Sequence, residues 1–293
     1  MAKRGLFVGM VTWDLIYLTD GPPSSNQKIA ASDYAMAAGG PATNAAVTFS
    51  YLKNQSTIVG VLGNHPLSHL IKADLETYNV AIADLNSTQS QPPPLASIII
   101  TQATGDRAVV SLPAPKTDFS SDRLTADLIS NIDVVLIDGH QMVAGRAIAS
   151  LAKARNIPVV IDGGSWKPGF ETVLPFVDYA LCSANFYPPG CGNAEEAITY
   201  LQAIGIPHIA ITNGEKPIQY VNTGETAQLV VPQINAVDTV AAGDIFHGAF
   251  CHYILWQSFP HALASAAKIA SHSCQFFGTR RWMEVEGEES PEI

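Results

Sequence analysis

The stretch Asp238-Thr239-Val240-Ala241-Ala242-Gly243-Asp244 carries the residue types best suited to chemistry in this chain. Ile245, Phe246, Ala249, Phe250, Tyr253 and Ile254 follow it at helical spacing, which predicts a helix whose first turn begins near Ala242. Ala241, Ala242 and Gly243 have almost no side chain, so a ligand can approach the backbone N–H groups that a helix leaves unpaired in its first turn. An anion is the ligand such a turn accepts. Asp244, at the positive pole of the same helix, can take a proton from a hydroxyl aimed at that anion. A hydroxyl and a phosphate held together imply phosphoryl transfer. Without a ligand, the same residues are an ordinary helix start after a small-residue loop.

Other polar residues fall where parallel α/β sheets bind ligands, at the C-terminal ends of short apolar runs. The run over residues 6–12 reads as a first buried strand that presents Asp14 at its end. Ala38-Gly39-Gly40-Pro41-Ala42-Thr43-Asn44 is a glycine turn leading directly into a helix that continues through Phe49 and Leu52. Asp138-Gly139-His140, Asp162-Gly163-Gly164-Ser165 and Thr212-Asn213-Gly214 close three further strands. Asp138 and His140 could touch substrate, and Lys167 could reach a phosphate as a mobile point charge; each is also a plausible loop residue.

The stretch from Asp238 to Asp244 closely resembles the C-terminal Asp-Thr-x-Gly-Ala-Gly-Asp motif of the ribokinase-like (PfkB) carbohydrate kinases, with Ala241 where the pattern often has Gly. Gly39-Gly40 followed by Asn44 and small residues is similar to the N-terminal motif of the same family. The resemblance implies transfer of the γ-phosphoryl group of ATP, with Mg²⁺, to a hydroxyl of a sugar or sugar-like substrate. In that reading Asp244 is the base, and the helix start at Ala241, Ala242 and Gly243 is the anion hole. Asp14, Gly39, Gly40, Asn44 and the lid residue Arg107 meet the sugar, while Thr212, Gly214 and Gly278 meet the nucleotide. The chain departs from the family pattern in three places. The turn Gly63-Asn64-His65-Pro66 lacks Gly-x-Asp-x-x-Gly, and no second glycine follows Gly214, where Glu215-Lys216-Pro217 reads as a turn. After Asn185, Pro188 takes the place of the Glu in Asn-x-x-Glu, so the metal ligands stay unassigned.

The elements that must position these residues alternate regularly. Strands are expected over 56–62, 134–137, 158–161, 179–182 and 208–211, and a β-prone run covers 228–231. Helices are expected over 67–78, 143–155, 194–204 and 261–277. That rhythm predicts an α/β fold with a doubly wound, mostly parallel sheet flanked by helices. Residues 95–101 and 108–112, joined through Gly105-Asp106, form a hairpin candidate. In the family such a hairpin joins a segment near 15–38 in a small β-lid that covers the sugar and pairs two subunits, so a homodimer through the lid is expected. The reading is one kinase domain over 1–283 and an acidic, disordered tail over 284–293.

A formal net charge of −10 in 293 residues argues against general affinity for nucleic acid or anionic membrane and favours small-molecule partners. Cys182, Cys191, Cys251 and Cys274 have no Cys-x-x-Cys pairing, which reads as reduced thiols in a cytoplasmic protein without zinc. Asp14 cuts short the apolar run that might otherwise pass for a signal peptide, and no run spans a bilayer. Two rivals remain. One is a non-catalytic sugar- or nucleotide-binding protein on the same fold, suggested by Pro188 and the missing glycine. The other is a nicotinamide-dependent oxidoreductase, disfavoured because no Gly-x-Gly-x-x-Gly follows the first strand.

Overall fold

Leu6 and Val8 pack into one core and Phe7 into another, all three fully buried, as the centre of a sheet covered on both faces requires. A computed structural model describes residues 2–112, 124 and 126–284, so the expectation for the acidic tail lies outside the described residues. In chain order the elements are β1 (Arg4–Val8), β2 (Thr12–Thr19), β3 (Asp33–Gly39), α1 (Pro41–Tyr51), β4 (Gln55–Gly60), α2 (Pro66–Thr77) and β5 (Val80–Asp84). Next come β6 (Leu95–Thr101), β7 (Arg107–Leu112), β8 (Val134–Ile137), α3 (Met142–Lys153), β9 (Val159–Gly163), α4 (Phe170–Val173) and β10 (Tyr179–Ser183). The rest are α5 (Ala194–Ala203), β11 (His208–Asn213), β12 (Lys216–Asn222), β13 (Glu225–Leu229), α6 (Ala242–Tyr253) and α7 (Phe259–Ser273).

Nine strands form the main sheet in the order β13-β12-β11-β10-β9-β8-β1-β4-β5, parallel from β11 to β5 and closed by an antiparallel hairpin at the β13 edge. Apolar residues of α1, α2, α6 and α7 pack with Phe7 and Leu136; those of α3, α4 and α5 pack with Leu6 and Ile137 on the other face. From β1 the chain steps outward to β4 and β5, then returns to β8 and continues the other way. The strand order therefore reverses between β1 and β8, the switch point whose carboxyl side is where such sheets bind ligands.

A second sheet, β3-β2-β6-β7, contains both segments expected for the lid. Ile16, Ile98 and Ile100 cluster with Phe277 beneath it, and its hairpin tip rests near the segment before α6, since a Cβ on Gly105 would lie 3.6 Å from the Val237 carbonyl oxygen.

Two expectations need correcting. The first strand does not run over residues 6–12. The Asp138 carboxylate takes the Met10 N–H at 2.8 Å, which draws the chain out of the main sheet, and Trp13 N–H then donates to Pro94 O at 3.0 Å and starts the lid ladder. Asp14 thus lies within a lid strand rather than at the end of β1. Likewise Lys216-Pro217 opens strand β12 instead of making a turn, and Thr223 and Gly224, at φ 49° and 93°, turn it into β13. Cys182, Cys251 and Cys274 are buried free thiols and Cys191 is partly buried. No helix among the described residues is long and apolar enough to cross a membrane.

Candidate active site

Ala241 caps α6 in the left-handed conformation, φ 60° and ψ 10°, which explains why glycine suits this position: a Cβ there costs on the order of 1 kcal/mol. Asp238 holds the approach, its Oδ1 accepting the Val240 N–H at 2.8 Å and its Oδ2 accepting the Gly278 N–H at 2.8 Å. Ala242 N–H turns back to Thr239 O at 3.3 Å, and the helix ladder starts with Ile245 N–H donating to Ala241 O at 2.8 Å. Between them, the N–H groups of Gly243 and Asp244 meet no acceptor among the described residues, and the space above Gly243 is open. These two amides stand free at the positive end of a twelve-residue helix, where the helix dipole favours negative charge.

The two sequence motifs meet at Asp244. Asn44 Nδ2, from the first turns of α1, donates to Asp244 Oδ2 at 2.8 Å across 200 residues of sequence. Burial, and then the neighbouring Asp162 carboxylate, push the Asp244 carboxyl up to about 7, against the Asn44 hydrogen bond and the His247 charge that favour ionisation. A carboxyl poised there is suited to accept a proton near neutrality.

Gly39 and Gly40 bring the lid strand β3 into α1 beside this pair. Gly40 has φ 99°, and a Cβ on it would lie 2.4 Å from the Met10 carbonyl oxygen, so only glycine fits. A Cβ on Gly39 would lie 1.9 Å from Asp14 Oδ2, because the carboxylate reaches over that bare backbone. Asp14 accepts the Thr12 hydroxyl at 2.6 Å, and its burial raises its carboxyl pKa while Thr12 and Arg280 oppose the rise. Asp14 and Gly39 at the root of the lid are thus linked to the Asn44–Asp244 pair through Arg280, which donates to Asn44 Oδ1 and lies near both carboxylates.

On the other side of the α6 N-terminus lies a cavity of about 390 Å³. Thr212 and Gly214 line it, together with Thr239, Ala242 and Gly243, and the small residues Ala267 and Ala270 of α7 form part of its largely apolar wall. Gly278 is not part of that lining; its N–H is spent on Asp238 and its Cα faces Ala35 of the lid, so the structure places it between lid and α6. Arg107 is exposed at the start of β7. Asp138 takes backbone N–H groups from Met10, Ala42 and His140, which makes it the clasp between β8, β1 and α1. His140 is exposed, and Lys167 folds back on Ser165. Asn185 is exposed and Pro188 buried in the turn after β10.

Reasoning from the sequence missed Arg280 and His247. Arg280 donates to Asn44 Oδ1 at 2.9 Å although 236 residues separate them, and the run Gly278-Thr279-Arg280-Arg281 was its only signal. The His247 ring nitrogens lie 2.6 Å from Gly243 O and 3.1 Å from Leu181 O, one turn into α6.

Comparison with known proteins gives a consistent result. The model of the pfkB family carbohydrate kinases matches residues 3–285. The ribokinase of Lactococcus lactis is 27% identical over 289 residues, covering 94% of this chain and 92% of that protein. Among solved structures, the Thermotoga maritima ribokinase superposes with a TM-score of 0.77 at 21% identity, covering 97% of this chain and 98% of that one. The Arabidopsis thaliana ribokinase, solved with ribose and ATP, gives a TM-score of 0.77 at 20% identity, covering 98% and 100%.

Proposed function

The chain belongs to the pfkB family of carbohydrate kinases, and from that premise we propose that it transfers the γ-phosphoryl group of ATP to a hydroxyl of a sugar. The observation that carries the reading is the meeting of Asn44 and Asp244 beside two free N–H groups, with Asp14 and Gly39 of the lid root nearby and a cavity of about 390 Å³ against the start of the same helix. The sugar sits against Gly39 with its hydroxyls on Asp14 and Asn44, and the adenine nucleotide fills the cavity along Thr212, Gly214 and α7. Asp244 accepts the proton of the attacking hydroxyl; the hydroxyl oxygen bonds to the γ-phosphorus and ADP leaves. The N–H groups of Gly243 and Asp244 hydrogen-bond the oxygens of the transferring group. Most of the acceleration is positioning and electrostatics.

Among the described residues no cluster of three or more His, Cys, Asp or Glu side chains could cage a metal. That fits Mg²⁺, which commonly keeps several waters and rides on substrate phosphates. Asp162, buried at the end of β9, is the carboxylate that would orient its water shell. Bound there, the ion would neutralise phosphate charge.

ADP release from Mg·ATP across pentoses, hexoses and nucleosides, beginning with ribose, tests the reading. Acceptor-dependent release is expected; none from any acceptor, with ATP still bound, would overturn it in favour of a binding protein. Gly39→Ala tests the sugar recess, since the new Cβ must displace Asp14. The apparent KM for the acceptor is expected to rise about 100-fold while ATP affinity stays at the wild-type value.

The outward face of the lid sheet exposes Tyr34 (60%), Met36 (51%) and Val110 (75%), an apolar surface that a second copy of the chain would cover. Sedimentation is expected to give the mass of two chains for the wild type and of one chain for Val110→Glu.

A further inference from the structure

Arg280 reaches the site from the turn after α7. Its neighbours fix it firmly: Gly278 is tied to Asp238, Trp282 Nε1–H donates to Thr279 O at 3.2 Å, and Arg281 makes bonds of 2.6 and 3.0 Å to the Asp33 carboxylate of β3. The Arg280 guanidinium is buried at 8% exposure. Its Nη2 donates to Ala38 O at 2.6 Å and lies 3.7 Å from Asp74 Oδ2, while the Tyr78 ring centre is 5.3 Å away. Its Nη1 donates to Asn44 Oδ1 at 2.9 Å and to Thr279 O at 3.2 Å.

A carboxamide has one accepting end and one donating end. With Oδ1 taken by Arg280, the Asn44 amide can present only its N–H₂ to Asp244, and that is the bond observed at 2.8 Å. If the amide turned over, Oδ1 would face the carboxylate and the Nη1 donor of Arg280 would lose an acceptor in a buried place. The guanidinium also stands among Asp14, Asp74 and Asp244, carboxylates from three elements of the lid and core, so its charge favours the ionised base.

Resting on the kinase reading, we propose that Arg280 is a positioning residue that acts through Asn44 to hold the Asp244 carboxylate in the orientation that receives the hydroxyl proton. The Ala38 contact makes the same side chain the bolt between the C-terminal segment and the lid root, so the base is set only when β3 is in place.

The test has two readouts. In the apo protein carrying ¹³C-carboxyl aspartate, the Asp244 signal is assigned by its loss in Asp244→Asn and followed with pH. The groups facing it are Asp162 from β9, Asp138 from β8, His247 from α6, Asn44 from α1 and Arg280 itself. Arg280→Met is expected to move the midpoint upward by about one pH unit. Arg280→Lys keeps the charge but loses the paired Nη donors; it is expected to fold and to show a smaller upward shift, and it carries the test if the Met variant does not fold. The second readout is a double-mutant cycle on turnover: Arg280→Lys is expected to lower kcat about tenfold in the wild type and less than about twofold in the Asn44→Ala background. An unmoved midpoint, or equal losses of kcat in both backgrounds, overturns the proposal and leaves the kinase reading intact. A midpoint that moves in the Arg280 variants, while the wild type turns over no acceptor, overturns the kinase reading and leaves the Arg280–Asn44–Asp244 linkage standing.

Discussion

The Asp244→Asn variant is expected to fold, to bind ATP and sugar, and to turn over about 10³-fold more slowly than the wild type or slower, as removal of a positioned base does. The substitution keeps an oxygen that can accept the Asn44 N–H now found at 2.8 Å, and it leaves the N–H groups of Gly243 and Asp244 in the backbone. What it removes is the proton acceptor. Wild-type kcat/KM should rise with pH along a single limb centred near 7, because the base is active when ionised and its carboxyl is pushed up to about 7. Stopped-flow or coupled ADP assays across pH 5 to 9 on both proteins check the assignment; unchanged turnover in the variant would sink it.

The same carboxyl makes a stability claim of opposite sign. Its pKa in the folded protein is raised above the unfolded value of 3.8, so the neutral form is favoured by folding and the ionised form opposes it. Stability from this group is full below about pH 4 and is lost as pH rises through about 7. At pH 8 the variant should therefore be more stable than the wild type, on the order of 2 kcal/mol once solvent screening at a partly exposed site is allowed for. Thermal unfolding should show that advantage vanish near pH 4. A base held in a site that resists its charge is stability given up for function.

The parallel sheet and its helices were legible because apolar runs and amphipathic periods are local signals, and the expected strand ends over 134–137, 179–182 and 208–211 lie within a residue or two of the observed ones. The helix start was legible for the same reason, since the small residues Ala241 to Gly243 directly precede a helical period. Asp14 was assigned its role through resemblance but set in the wrong sheet. The exit from β1 depends on Asp138, 128 residues from Met10, and no local pattern announces a carboxylate that captures one amide. Strand β12 was hidden by Pro217, which removes a ladder donor and reads as a turn. Arg280 was invisible for the plainest reason: an arginine after a helix is ordinarily a solvated charge, and only the tertiary fold carries it to Asn44.

Gly248→Ala should damage both stability and turnover although it touches none of the reacting atoms. Helix α6 crosses α1 so closely that a Cβ on Gly248 would lie 2.3 Å from the Ala45 carbonyl oxygen and 2.8 Å from the Thr48 Cβ. The obstacle is backbone, which cannot swing aside as a side-chain tip can, so the helices must part. Overpacking of this kind costs about 3 kcal/mol, which for a chain of this size lowers Tm by roughly 6 °C or more. Asn44 rides on α1 and Asp244 on α6, one turn from the contact, and their 2.8 Å bond tolerates little separation. Turnover measured well below the new Tm should accordingly fall about 10-fold to 100-fold, with ATP affinity less affected because only Ala242, Gly243 and Phe246 of the cavity lining belong to α6. If Tm falls and turnover per folded molecule does not, the close crossing serves packing alone, and the distance between α1 and α6 is not what sets the base.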